Sequence, residues 1–304
     1  MRLLLRMFAL ASITTSGTLP AQPLPGHTAG DPVDLDIEFF CTNWGMQQSW
    51  DSFCFRAKSA GYDGVETWLP ADPQERESMF RAFEKHGLKF ILLSSGKGKD
   101  FDGYLRNFRE NLQQLAAYKP VLINCHTGKD HFSFEQNQAL IQAAEEVSRE
   151  SGIPILHETH RGRFSFAAHI TRDYLNKIPG LRLTLDISHW CNVHESLLED
   201  QDEAVSLAIS RADHLHTRVG FQEGPQVNDP RAPEWKDVLD KHLQWWDRVV
   251  DAKVKRGDTL LTITPEFGPP NYMPTLPYTR QAVSDQWDIN VYMMNMLKAR
   301  YGKK

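Results

Sequence analysis

From residue 34 onward, short apolar runs alternate with longer stretches whose apolar positions recur every three or four residues. Short runs bounded by turn residues read as strands, and the longer periodic stretches read as amphipathic helices. Strands are predicted over residues 36–41, 64–67, 89–94, 121–125, 154–158, 182–186, 214–217 and 260–264. Helices are predicted over 50–60, 74–86, 104–118, 134–151, 166–177, 199–211, 234–255 and 279–300. In the fourth helix Leu140, Ala144 and Val147 fall on one face. Gly61, Gly87, Gly152 and Gly180 each stand between a helix and the next strand, where a left-handed cap favours glycine. Strict alternation implies parallel strands joined by helical crossovers. Eight such units predict a single-domain (β/α)8 TIM barrel over residues 34–304, with an open doubly wound sheet as the alternative.

The ends of the last four predicted strands carry the candidate chemistry. Glu158, Asp186, His216 and Glu266 each follow an apolar run, and on a barrel the C-terminal strand ends form the catalytic face. Any one of them alone would read as a helix cap or an arginine partner. Together they predict a site for one divalent cation, because buried carboxylates are costly unless neutralised. Three carboxylates and one imidazole suit manganese, magnesium or cobalt, and zinc also. His157 alternates to the opposite face from Glu158 and reads as a packed imidazole. Glu66, at the end of strand two, reads as a hydrogen-bonding carboxylate near the mouth, with substrate contact as the alternative. His126, after strand four, is a candidate substrate contact. Trp44, Trp68 and Trp190 offer either a sugar-stacking wall or loop packing, whereas Trp245 and Trp246 fall inside a helix and read as core.

Composition narrows the partners. Of 304 residues, 41% are hydrophobic and 24% charged, which fits a globular chain with a sizeable core. The formal charge of -5 gives no global attraction to nucleic acid or an anionic membrane and favours a small neutral substrate, while leaving room for a local basic pocket. Cys41, Cys54, Cys125 and Cys191 lack paired spacing and read as buried thiols. Residues 1–22 resemble a signal peptide and 23–33, rich in Pro and Gly, a linker, which favours export with a cytoplasmic leader as the alternative. No later run is long and apolar enough to span a bilayer.

The order of AGYDGVE (60–66), the Glu of HETHRGR (157–163), LDISHW (185–190), HLH (214–216) and PEF (265–267) resembles the xylose-isomerase-like barrel superfamily of sugar isomerases and epimerases, over nearly the whole chain from about Leu35. That superfamily includes ketose 3-epimerases and inosose dehydratases. The resemblance implies a carbohydrate substrate, with Glu158, Asp186, His216 and Glu266 holding one metal and His189 contacting a substrate oxygen. It implies enediolate chemistry with Glu158 and Glu266 as the acid/base pair. A lyase acting on an inosose or a 3-keto-glycoside would use the same site. His160, Arg161 and Arg218 are expected as donors to substrate hydroxyls or the enolate oxygen, with a structural salt bridge or a supporting contact as the alternative for each, and Arg161 and Arg218 could instead hold a phosphate. Two departures stand out: the long segment 216–231 after strand seven, and the basic HRGR at 160–163. An abasic-site endonuclease of the same fold would recruit Glu66, His126, His160 and His189 as further ligands and would need a basic surface, which the net charge opposes. A sugar-binding barrel without turnover is the third reading, and a homo-oligomer is compatible with all three.

Overall fold

The computed structural model describes residues 35–302. The expected signal peptide (1–22) and linker (23–33) lie outside the described residues. Eight strands, β1 (Asp36–Thr42), β2 (Gly64–Trp68), β3 (Lys89–Ser95), β4 (Ile123–His126), β5 (Ile155–Glu158), β6 (Leu183–Leu185), β7 (Ala212–His216) and β8 (Leu260–Thr264), form a closed barrel in sequence order. All neighbours are parallel, and β1 closes on β8 through Ile37 opposite Leu261. The open-sheet alternative is thereby excluded.

Outside the barrel run α1 (Trp50–Ala60), α2 (Pro73–His86), α3 (Phe101–Ala116), α4 (Phe134–Ser151), α5 (Ala168–Lys177), α6 (Ser188–Val193), α7 (Asp202–Arg211), α8 (Lys236–Arg256) and α9 (Gln286–Tyr301). Their starts follow the local chemistry. Ser133 caps α4 in a reciprocal box with Gln136, an arrangement worth about 1 kcal/mol. Asp285 caps α9, so that helix begins later than predicted, because residues before it form an antiparallel bridge between Thr275 and Ala282. Gly61, Gly87 and Gly152 are left-handed caps as expected, but Gly180 is not: α5 ends at Lys177 with Ile178 as its C-cap, ahead of Pro179. The short α6 was not predicted, since its residues lie in an apolar stretch too brief to show helical periodicity.

The period-two alternation of the strands sorts the barrel interior into layers. Phe40, Ile91, Leu122 and Leu156 form a compact apolar plug. Gly64 makes room for it, since a Cβ there would lie 2.3 Å from the Phe40 ring. The next inward positions along the strands are polar: Glu66, Asn124, Glu158, His214 and His216, all buried. Outward-facing apolar residues pack beneath the helices, where Trp245 and Trp246 join the core. The four cysteines are free and buried. Among the described residues no helix is long and apolar enough to cross a membrane.

Candidate active site

The polar layer is a connected network. Asn124 donates its amide to Glu66 Oε1 at 2.9 Å and to Glu158 Oε2 at 3.0 Å. His216 Nε2 lies 3.1 Å from both oxygens of Glu66, so a proton there faces that carboxylate and Nδ1 is the nitrogen left for a ligand bond. That Nδ1 is buried without a hydrogen-bond partner. It stands 3.2 Å from Glu266 Oε2 and 3.8 Å from Glu158 Oε1.

Glu158, Asp186, His216 and Glu266 each place a ligand atom within 4.8 Å of the others. Asp186 Oδ1 accepts from the Ser188 backbone N–H at 3.0 Å and from its hydroxyl at 2.5 Å. Asp186 Oδ2 accepts from Arg218 Nη2 at 2.5 Å, and Arg218 Nη1 lies 3.3 Å from Glu266. Three carboxylates less one guanidinium leave two negative charges, the balance that a divalent cation meets. The orphaned Nδ1 of His216 and the oxygen-rich donor set fit such an ion, with Glu66 orienting the imidazole from behind.

Titration behaviour follows from this crowding of charge. Burial pushes the Asp186 carboxyl up to about 6, against the pull of Arg218 and with a further push from Glu266. Burial would raise Glu66 and Glu158 as well, yet His216 and His214 hold Glu66, and His126 and His216 hold Glu158, below the usual carboxylate range. Burial would lower His216, but Glu266, Glu66 and Glu158 together hold it well above its ordinary value. The carboxylates thus demand positive charge at this imidazole, from a proton or from a metal.

A cavity of about 380 Å³ opens over the quartet, lined by Glu158, Glu266, Arg218, His126, His160 and the aromatic rings Trp44, Trp68 and Tyr272. His126 Nε2 is 3.0 Å from Glu158 Oε2. His160 donates Nδ1–H to the Arg161 carbonyl at 2.5 Å, which frees Nε2. Burial depresses His160 to about 4 and His189 well below its ordinary value, so both rings are neutral near pH 7. His189 is buried off the cavity wall and accepts from Arg218 Nη2 at 2.8 Å. Arg161 also lies off that wall, bonding Asn192 at 3.1 Å. Glu66, only 2% exposed, lies against His216 and Asn124 and is not among the residues that line the cavity. Of the tryptophans, Trp190 is packed away, its Nε1 donating to the Ser165 carbonyl. His157 bonds Thr127 Oγ1 at 2.7 Å, away from the site.

Two participants escaped sequence reasoning. Asn124 shares a strand face with His126, and that alternation was a usable signal. Tyr272, which lies under the guanidinium groups of Arg161 and Arg218, comes from an irregular loop with no periodicity to mark it.

The sequence model of the xylose isomerase-like TIM barrel matches residues 54–272. The chain belongs to that family. Its barrel is similar to 3-keto-D-glucoside 4-epimerase from E. coli (13% identity, TM-score 0.57, 87% of this chain and 100% of that one). It is similar to the probable 3-DHS dehydratase of petrobactin synthesis from Bacillus anthracis (15%, 0.56, 86% and 99%). A xylose isomerase-like barrel from Mycobacterium smegmatis in complex with magnesium aligns equally well (9%, 0.56, 86% and 97%). At these identities the likeness shows the shared family fold. No curated protein matches the chain by sequence.

Proposed function

We propose that the protein is a divalent-metal-dependent isomerase or epimerase that acts on a ketose or keto-sugar through an enediolate. The observation supporting this is the convergence of Glu158, Asp186, His216 and Glu266 beneath a cavity that Glu158 and Glu266 also line. A divalent ion held by the four residues supplies Lewis acidity toward a ketone and its neighbouring hydroxyl.

The chain's own residues then move the protons. One of Glu158 and Glu266 takes the proton from the carbon beside the carbonyl, and the C–H electron pair becomes the double bond of the enediolate. The other glutamate, on a separate strand, returns a proton to the opposite face and inverts the centre. Arg218, His126 and the neutral His160 ring orient substrate oxygens, while His189 positions Arg218. Trp44, Trp68 and Tyr272 give the sugar apolar walls that exclude water.

The family resemblance to an E. coli epimerase and a probable dehydratase keeps the lyase reading alongside, since both reactions begin with the same proton abstraction. Incubation in heavy water with a ketose, inosose and 3-keto-glycoside panel plus manganese separates them. An isomerase gives an isomer carrying deuterium beside the carbonyl; a lyase releases water or an aglycone. An isomer formed without deuterium would contradict the enediolate route, and a product that is neither an isomer nor an elimination product would contradict both.

A further inference from the structure

A second cavity, of about 510 Å³, lies between the β3–α3 and β4–α4 loops. We propose that it is a subsite for the anionic group of an acidic sugar substrate that extends outward from the catalytic cavity. The assignment rests on reading the catalytic site as carbohydrate-active, and it names the substrate class.

Lys97 and Lys99 line this cavity from one loop and Lys129 from the other, over an apolar floor of Phe101 and Phe132. Asp100 is the one carboxylate among the lining residues, and its Oδ1 is engaged by the Gly103 N–H at 2.7 Å as the cap of α3. Asp130 pairs with His131. Among the described residues no ion pair includes Lys97, Lys99 or Lys129. Burial and the nearby Arg163 guanidinium push the Lys129 ammonium below its ordinary value, against a smaller opposing pull from Asp130.

Both loops are held in place. The Lys97 N–H donates to Asn107 Oδ1 at 2.9 Å, and the Lys129 N–H and carbonyl bond the buried Asn137 side chain at 3.3 and 3.0 Å. At Gly98 a Cβ would lie 2.3 Å from the Tyr104 nitrogen, so the chain lies flat against the first turn of α3. Cations presented from fixed backbone lose less entropy on binding an anion.

The two cavities are built from the same loops. Leu93 and His126 line the catalytic cavity, and Gly96 and Lys129, three residues further along each segment, line this one. From Leu93 to Gly96 the chain runs on from β3, and three extended residues span about 10 Å, the reach of a second sugar ring from a first ring seated over Glu158 and Glu266, while the other segment bends at Gly128, whose φ is +62°. The net charge of -5 favours a neutral substrate, and this local cluster runs against it.

The test is calorimetric titration of the full-length, manganese-loaded protein with cellobiose, with the uronate-bearing cellobiouronic acid and with a sulfated cellobiose. At least one acidic disaccharide should bind about tenfold more tightly than cellobiose, and the tighter of the two identifies the anion. The preference should shrink at about 0.5 M NaCl and fall below about threefold in the Lys97→Gln/Lys99→Gln/Lys129→Gln variant, with metal content unchanged. Equal affinity for all three sugars, no binding of any, or a preference that survives in the variant overturns the subsite. Tighter lysine-dependent binding of an abasic DNA duplex than of either acid overturns the sugar assignment. Failure of the isomerase reading shows separately, in metal content and deuterium exchange.

Discussion

His216 presents Nε2 to Glu66 at 3.1 Å from both carboxylate oxygens, on the side of the ring away from Glu158 and Glu266. A carboxylate placed there fixes the tautomer and aims the free nitrogen at the quartet. Glu66→Gln keeps the shape and removes the charge. Its manganese affinity should fall roughly ten- to a hundredfold, measured by titration against a competing chelator, with the fold intact by circular dichroism. Unchanged affinity would show that Glu66 does not support the ligand.

Arg218 is 1% exposed and shared between Asp186 and Glu266. Arg218→Met leaves the buried Asp186 and the partly exposed Glu266 without their cation, which should cost about 3 kcal/mol in the metal-free protein. Added manganese supplies the missing charge, so the loss should shrink when unfolding in urea is repeated with the ion. Equal losses in both conditions would separate Arg218 from the metal site.

Much of this arrangement was legible in the sequence, because strand ends on a barrel have a fixed meaning. Alternation located all eight strands, and the positions of Glu158, Asp186, His216 and Glu266 then followed from topology alone. Arg218 is a different case. Its place on the segment after β7 was visible, but its commitment to Asp186 and Glu266 depends on the turn of the chain at Gly220, which packs against Ser188, and no periodic signal encodes that contact. Glu66 and Asn124 were readable as inward-facing polar residues, while their joint grip on His216 and Glu158 required the closed barrel. The residues of the 267–285 loop, Tyr272 among them, carry no repeat from which position could be inferred.

His242 of α8 ties that helix to the segment after β7. Its Nδ1–H donates to the Val238 carbonyl at 2.9 Å, and its Nε2 accepts the Gly220 N–H at 3.2 Å. Burial lowers this imidazole to about 4. The unfolded chain takes up the proton near the ordinary pH of about 6.5, so it binds more protons than the folded state between these values, and stability rises with pH there. The stabilisation is full above about 6.5 and is lost as pH falls toward 4, by roughly 2 kcal/mol at pH 5. Unfolding free energies at pH 7 and pH 5 should differ less in His242→Gln than in the parent protein by about that amount. The same difference in both proteins would refute the assignment.

Glu158 and Glu266 are expected to divide the proton transfers. Glu266→Gln and Glu158→Gln should each lower turnover about a hundred- to ten-thousandfold. Glu266→Gln should still exchange the proton on the face served by Glu158, followed by deuterium incorporation into the two epimers separately. Loss of exchange from both epimers in Glu266→Gln would favour a single base.

The most direct measurement is metal analysis of protein purified without chelator, alongside Glu158→Gln/Asp186→Asn. The quartet predicts about one divalent ion per chain, removed in the double variant together with catalytic deuterium exchange. A metal-free protein that turns over a sugar, or a double variant that retains its ion, would contradict it.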